Sequence, residues 1–194
     1  MGTIEFKLDP DKTREALAYL VSKSPRGLDK YQLCKLLFLA DKYHLIRYGR
    51  TITGDRYFAM PYGPVPSRIL NQLDLLIDDP EDMPLLASAL KVDYSPEIPL
   101  LLAANQRLEF DNLSASDLEA LDEVYARHGR KEFRDLKTLT HAVFAYRKAW
   151  EKRGSKKSSP MSFEDFFEED PEAVVGVLEE AIEDSQLRNI FPSR

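Results

Sequence analysis

Three histidines, a single cysteine and an acid set in an apolar helix are the residues from which this chain of 194 could build a reactive centre. Asp41 and His44 stand three positions apart, so a helix puts them on one face. They make two donors of the three or four a metal site requires, and no HExxH pair supplies more. His128 and His141 belong to other segments. Cys34 lies inside an apolar helical pattern, where a free cysteine behaves as a small hydrophobe and not as a nucleophile. The glycines at 49, 54 and 63 are spaced as turn formers, with no phosphate-binding fingerprint around them. The expectation is no catalytic residue, no metal and no cofactor, hence not an enzyme.

What the residues do suggest is recognition. From Leu33 to Ser67 an apolar helix carrying Lys35, Asp41, Lys42 and His44 runs into three glycines and three prolines, interleaved with Asp55, Arg56 and the aromatics Tyr48, Tyr57, Phe58 and Tyr62. Asp41 shares its helical phase with Cys34, Phe38, Leu45 and Tyr48, so its carboxylate needs a partner; isolated burial costs several kcal/mol. Arg56, Lys42 or a tyrosine hydroxyl could supply one. The two readings are a clamp tying the helix to the following strand and a contact with a partner molecule.

Positioning these residues needs a mainly α fold with a small β element. Asp9-Pro10 reads as an N-cap followed by proline at the first helical position, and that helix ends at Ser24-Pro25. Asp29 and Gln32 have the spacing of a capping box for a second helix, closed near Tyr48 by Gly49 as a left-handed cap. Apolar residues on two of its sides make it central, with Lys35 and Lys42 on the edge that reaches water. A third helix opens at Pro66 or Ser67 and stops before Pro80. Met83 to Leu90 reads as a short helix, Ser114 caps a helix ending near His128-Gly129, and one helix spans about Leu136 to Trp150. Short strands are expected near residues 3–8 and 56–62, and within 98–110 as Ile98–Leu102 and Arg107–Phe110 joined to each other.

Charge is unevenly spread. The net charge is −6, yet residues 26–68 carry eight Arg/Lys against three Asp, while residues 162–184 hold ten acids and no base. Segregation of this kind supports steering of a charged partner. The acidic total argues against a dedicated nucleic-acid binder. An alternative remains in the layout: two helices followed by an extended segment with Arg50 and Arg56 loosely resemble a winged helix-turn-helix, a DNA-binding regulator in which the Lys35/Lys42 edge would meet phosphates. No run approaches the ~18 apolar residues of a membrane span, residues 1–20 lack a leader's apolar core, and the lone cysteine suits a reducing, cytoplasmic setting.

Taken jointly, Lys35-Leu36-Leu37-Phe38-Leu39-Ala40-Asp41, His44, Tyr48-Gly49-Arg50, Ile52-Thr53-Gly54-Asp55, Tyr57 and Tyr62-Gly63-Pro64-Val65-Pro66 resemble the Panacea domain, the SocA-like antitoxin domain. Leu113-Ser114, Asp117 to Tyr125, Leu139-Thr140-His141 and Trp150 are similar to its C-terminal part. The resemblance covers roughly residues 10–150; the domain is expected over residues 1–150, with 151–194, read from its own composition, a basic loop followed by an acidic C-terminal helical extension packed on it. It implies an antitoxin of a phage-associated toxin–antitoxin pair that binds its toxin, the product of a neighbouring gene, directly. One branch of the family acts as an adaptor to a Clp protease. The expected toxin contacts are Lys35, Lys42, Asp55, Arg56, Tyr57, Met60 and Tyr62; Asp41, His44, Gly49, Gly54, Gly63 and Pro64 are expected to hold the motif's shape.

Overall fold

The computed structural model describes residues 4–104 and 108–168. Helix α1 (Pro10–Ser22) starts as its sequence dictates, with Asp9 accepting from Lys12 N at 3.0 Å. Helix α2 (Lys30–Tyr48) begins with the Asp29/Gln32 capping box and ends at Gly49 in the left-handed conformation. A hairpin follows, β1 (Tyr57–Met60) and β2 (Gly63–Pro66), antiparallel with Met60 opposite Gly63 around the turn Pro61-Tyr62. Helix α3 (Ser67–Asp78) leaves directly from β2.

A 3-10 turn over Pro80–Asp82 leads into the single turn α4 (Pro84–Ala87) and then β3 (Leu90–Asp93), which pairs antiparallel with β4 (Leu100–Ala103). Helix α5 (Ala115–His128) carries the Ser114 cap, and α6 (Phe133–His141) and α7 (Phe144–Lys152) follow. The two-residue β5 (Ser159–Pro160) pairs with the free edge of β1 to give the sheet order β2-β1-β5, and a 3-10 turn over Glu164–Phe166 follows.

Two apolar clusters fill the interior. The larger joins Leu17, Leu20 and Val21 of α1 to Leu33, Leu36, Leu37 and Ala40 of α2, Ile69 and Leu73 of α3, and Leu121 of α5. The smaller gathers Phe38 and Leu45 of α2, Tyr57 and Ala59 of β1, Tyr146 and Ala149 of α7, and Phe163, Phe166 and Phe167 beyond β5. Helix α2 lies in both, as its two apolar sides require. Cys34 joins the first cluster and not, as its phase with Phe38 suggested, the second.

Several expectations are corrected. Residues 4–9 form no strand, because their backbone is spoken for singly: Ile4 N donates to Glu164 Oε1 and Asp9 N to the Thr53 carbonyl. β4 pairs with β3 and not with Arg107–Phe110, of which residues 108–110 form no strand. The residues from Leu90 are therefore a strand, and the helix expected over Met83–Leu90 shrinks to one turn. The helix expected over Leu136–Trp150 is two helices broken at Ala142-Val143, where extended Val143 begins α7. The helix expected from Asp170 lies outside the described residues.

Candidate functional site

The segment from α2 to the start of α3 is held by two buried carboxylates. Asp41, fully buried, accepts Ile52 N at 2.7 Å and Thr53 N at 3.2 Å on Oδ1. Its Oδ2 accepts Thr53 Oγ1 at 2.7 Å and the Tyr57 hydroxyl at 2.8 Å. Burial raises the Asp41 carboxyl above the ordinary carboxylate range, and these donors pull the other way. Asp55 repeats the device further along: Oδ1 accepts Arg56 N at 2.8 Å, and Oδ2 accepts Arg68 N at 3.0 Å and Ile69 N at 2.9 Å. Helix α3 has proline at its N-cap and no cap of its own, so Asp55 satisfies from across the hairpin the orphan N–H groups every helix start carries.

Each remaining position of the Thr53-Gly54-Asp55-x-Tyr57 run has a physical task. Gly54 adopts φ +73°, and a Cβ there would stand 2.0 Å from the Lys7 carbonyl oxygen, so only glycine lets the two chains approach. Thr53 donates to Asp41, and its carbonyl receives Asp9 N, the entry to α1. Tyr57 is buried and brings its hydroxyl to the helix.

Lys35, expected at the water edge, is wholly buried instead. Its Nζ donates to the Pro64 carbonyl at 2.6 Å, and Gly63, at φ +104°, leaves room for it: a Cβ there would lie 3.0 Å from Nζ. Burial pushes the Lys35 ammonium down to about 8, with nearby Lys137 acting in the same direction. Lysine is almost never fully buried, so sequence alone points this side chain to the surface; the hairpin carbonyl reverses that preference here.

A third buried carboxylate was not singled out in the sequence. Asp117, at the third position of α5, accepts Ser114 N at 2.9 Å and pairs with Lys12 at 2.7 Å, Arg50 at 2.9 Å and His44 Nε2 at 3.1 Å. Burial alone would raise it; the His44, Lys12, Ser114 and Arg50 contacts outweigh burial and hold it well below the usual carboxylate range. His44, also buried, presents Nδ1 to the Arg50 carbonyl at 2.7 Å. The Ser114-x-x-Asp117 spacing is a visible capping signal; what it hides is that a local cap doubles as the receiver for Lys12, Arg50 and His44, all distant in sequence.

The expected contact residues are thus split. Lys35, Asp55 and Tyr57 are at most 1% exposed and cannot touch a partner while the fold is closed, which removes them from the contact surface. It also removes the cationic Lys35/Lys42 edge on which a phosphate-binding reading depended. Tyr62 is 62% exposed at the hairpin tip, Arg56 is exposed and paired with Glu5 at 3.2 Å, and Met60 and Lys42 are half-buried. Gly49, Gly54, Gly63 and Pro64 are buried with Asp41 and His44.

Beside Tyr62 stands a group the sequence did not reveal. The Phe133 ring, on α6, lies 6.5 Å from Tyr62 and 5.8 Å from Tyr31, which is 40% exposed on the first turn of α2. Lys137 Nζ sits 5.0 Å over the Tyr62 ring and Lys30 Nζ 5.1 Å over Tyr31. Only the approach of α6 to the hairpin assembles this row, so no local pattern announces it. Among the described residues no group of three or more His, Cys, Asp or Glu is arranged to hold a metal, and no helix is long and apolar enough to cross a membrane.

The residues that build the double carboxylate clamp also carry the chain's kinship. The sequence model of the family described as antitoxin SocA-like, Panacea domain, matches residues 33–151, from the first buried leucine of α2 to the last turn of α7. Comparison with curated proteins and with solved structures returned no match. With more than half of its length matched by that one model, this chain belongs to the SocA-like antitoxin family of Panacea-domain proteins.

Proposed function

We propose that this protein is a cytoplasmic antitoxin that neutralises a cognate protein toxin, encoded by a neighbouring gene, through direct stoichiometric binding, and that the toxin rests on the row Tyr31–Phe133–Tyr62. The observation that carries the reading is the exposure of two tyrosines on rigid supports, α2 and a hairpin fixed by Asp41, Asp55 and Lys35. Tyrosines anchor interfaces because they offer large area at small entropic cost, and a few such residues carry most of the affinity. Met60 closes β1 on the same hairpin, next to the turn that carries Tyr62. Family membership supports a toxin as the partner class.

The test is co-purification and titration against the product of the adjacent gene. Tyr62→Ala with Tyr31→Ala should weaken binding by roughly 30-fold or more, on the scale of about 2 kcal/mol for hot-spot aromatics, while the unfolding midpoint stays put. A neighbour that is harmless when expressed alone, or equally toxic when this protein is co-expressed, sinks the proposal. Toxin half-life with and without this protein separates plain sequestration from delivery to a Clp-type protease, since only delivery shortens it.

A further inference from the structure

The chain has nine tyrosines, and all of them lie in the described residues. Seven place the hydroxyl on an acceptor inside the protein, from Tyr19 on Asp122 Oδ1 at 2.9 Å to Tyr146 on the Met60 carbonyl at 3.0 Å. The other two are Tyr31 and Tyr62, the ends of the aromatic row, and neither hydroxyl has a hydrogen-bond partner among the described residues. Exposure does not account for this, because Tyr94 is 55% exposed and still donates to the Ile77 carbonyl. The row thus faces outward with two unused O–H donors.

The polar groups around it are of the same kind. The Lys131 carbonyl accepts Gln32 Nε2 at 3.3 Å, which sets the turn before α6 beside Tyr31. Along α6, Phe133 and Lys137 stand four apart and share a face, and Arg134 is three from Lys137. Asp135, two residues on from Phe133, is turned roughly 200° away from it. Among the described residues no acid is bonded to the side chain of Lys131, Arg134 or Lys137. Lys30, by contrast, is taken by Asp74. Glu132, exposed at the N-cap of α6, is the acid beside these cations in sequence.

A surface made of donors is matched by a surface made of acceptors. Carboxylates take phenolic O–H, ammonium and guanidinium groups in charge-assisted bonds, roughly twice as strong as neutral ones. A nucleic acid would supply acceptors too, but it needs a basic stripe, and Glu132 and Asp74 interrupt this one. We infer that the toxin face seated on the Tyr31–Phe133–Tyr62 row is acidic, its carboxylates accepting the two tyrosine hydroxyls and pairing with Lys131, Arg134 and Lys137. The inference rests on the reading of this row as the toxin surface and adds the chemistry of the partner. The chain's net charge of −6 opposes an acidic partner only at long range, and salt screens charges more than about 10 Å apart.

The test titrates the full chain against the purified product of the adjacent gene. Tyr31→Phe with Tyr62→Phe keeps both rings and removes only the donors. Affinity should fall at least about tenfold, whereas rings acting by area alone would leave it unchanged. Lys131→Glu with Arg134→Glu, both exposed, should weaken binding about tenfold or more, chiefly through the association rate. Raising salt from about 0.05 to about 0.5 M should weaken the parent several-fold and this variant hardly at all. Lys156→Glu with Lys157→Glu, exposed on the loop before β5, is the control and should bind as the parent does. Parent-like affinity in either row variant overturns the inference. So does an equal loss in the control, which would trace the effect to overall charge, and so does tighter binding of a mixed-sequence single-stranded oligonucleotide than of the toxin. If both row variants bind like the parent while Tyr31→Ala with Tyr62→Ala binds weakly, the row is the toxin surface and only the partner's chemistry is wrong. If the alanine variant also binds like the parent, the row itself is lost as the toxin surface.

Discussion

Asp41 shows how much one side chain can organise. A single carboxylate accepts four donors from Ile52, Thr53 and Tyr57, and so fixes the path of the chain as it leaves α2. Asp41→Asn should lower stability by about 2–4 kcal/mol, since the amide nitrogen would face hydroxyl and N–H donors that then go unmet; urea denaturation measures it. Lys35 makes the opposite kind of demand. Its folded value of about 8 lies below the free value of 10.5, so its burial penalty is complete below pH 8 and is relieved as pH rises toward 10.5. Relative to Lys35→Met, the parent protein should gain up to about 3 kcal/mol across that window, read from denaturation midpoints at each pH. Buried Cys34, whose thiol is raised, works against this from about pH 9 upward. The comparison between the two proteins cancels that contribution.

At the scale of elements, the hairpin and α3 are joined by a cap that neither owns. Asp55→Ala should cost about 1–3 kcal/mol by leaving the first amides of α3 without acceptors, and hydrogen exchange should localise the loss to Arg68 and Ile69. Helix starts, the Gly49 stop and the centrality of α2 were legible because they depend on residues within a turn of one another. Asp9, Asp29 and Ser114 all cap where their spacing places them. Legibility failed where partners are distant. The burial of Lys35 depends on a carbonyl 29 positions away, and the Tyr31–Phe133–Tyr62 row depends on how α6 meets the hairpin. The short β3–β4 ladder departs from the expectation for a similar reason: Leu100–Ala103 has two possible neighbours in sequence and pairs with Leu90–Asp93, while Leu101 also bridges the distant Leu28.

Across the whole molecule, Asp117 connects what the two apolar clusters do not. It holds Lys12 of α1, His44 of α2, Arg50 of the following loop and the start of α5 in one buried network. Its folded value is depressed, so the stability it supplies is complete above the free value of 3.8 and is lost as pH falls below that. Asp41 and Asp55 are raised and oppose this trend. Acid titration of the parent against Asp117→Asn, followed by circular dichroism, should show the parent losing stability relative to the variant below about pH 4. The three-stranded sheet β2-β1-β5 carries a last implication. Its outer strands are Gly63-Pro64-Val65-Pro66 and Ser159-Pro160, so both rims are built around residues with no N–H to offer, and Lys35 already occupies the Pro64 carbonyl. Neither rim is a template for strand addition. A toxin engaging this sheet must do so through side chains, and nascent copies of the protein are guarded against edge-to-edge self-assembly at this sheet while they await one.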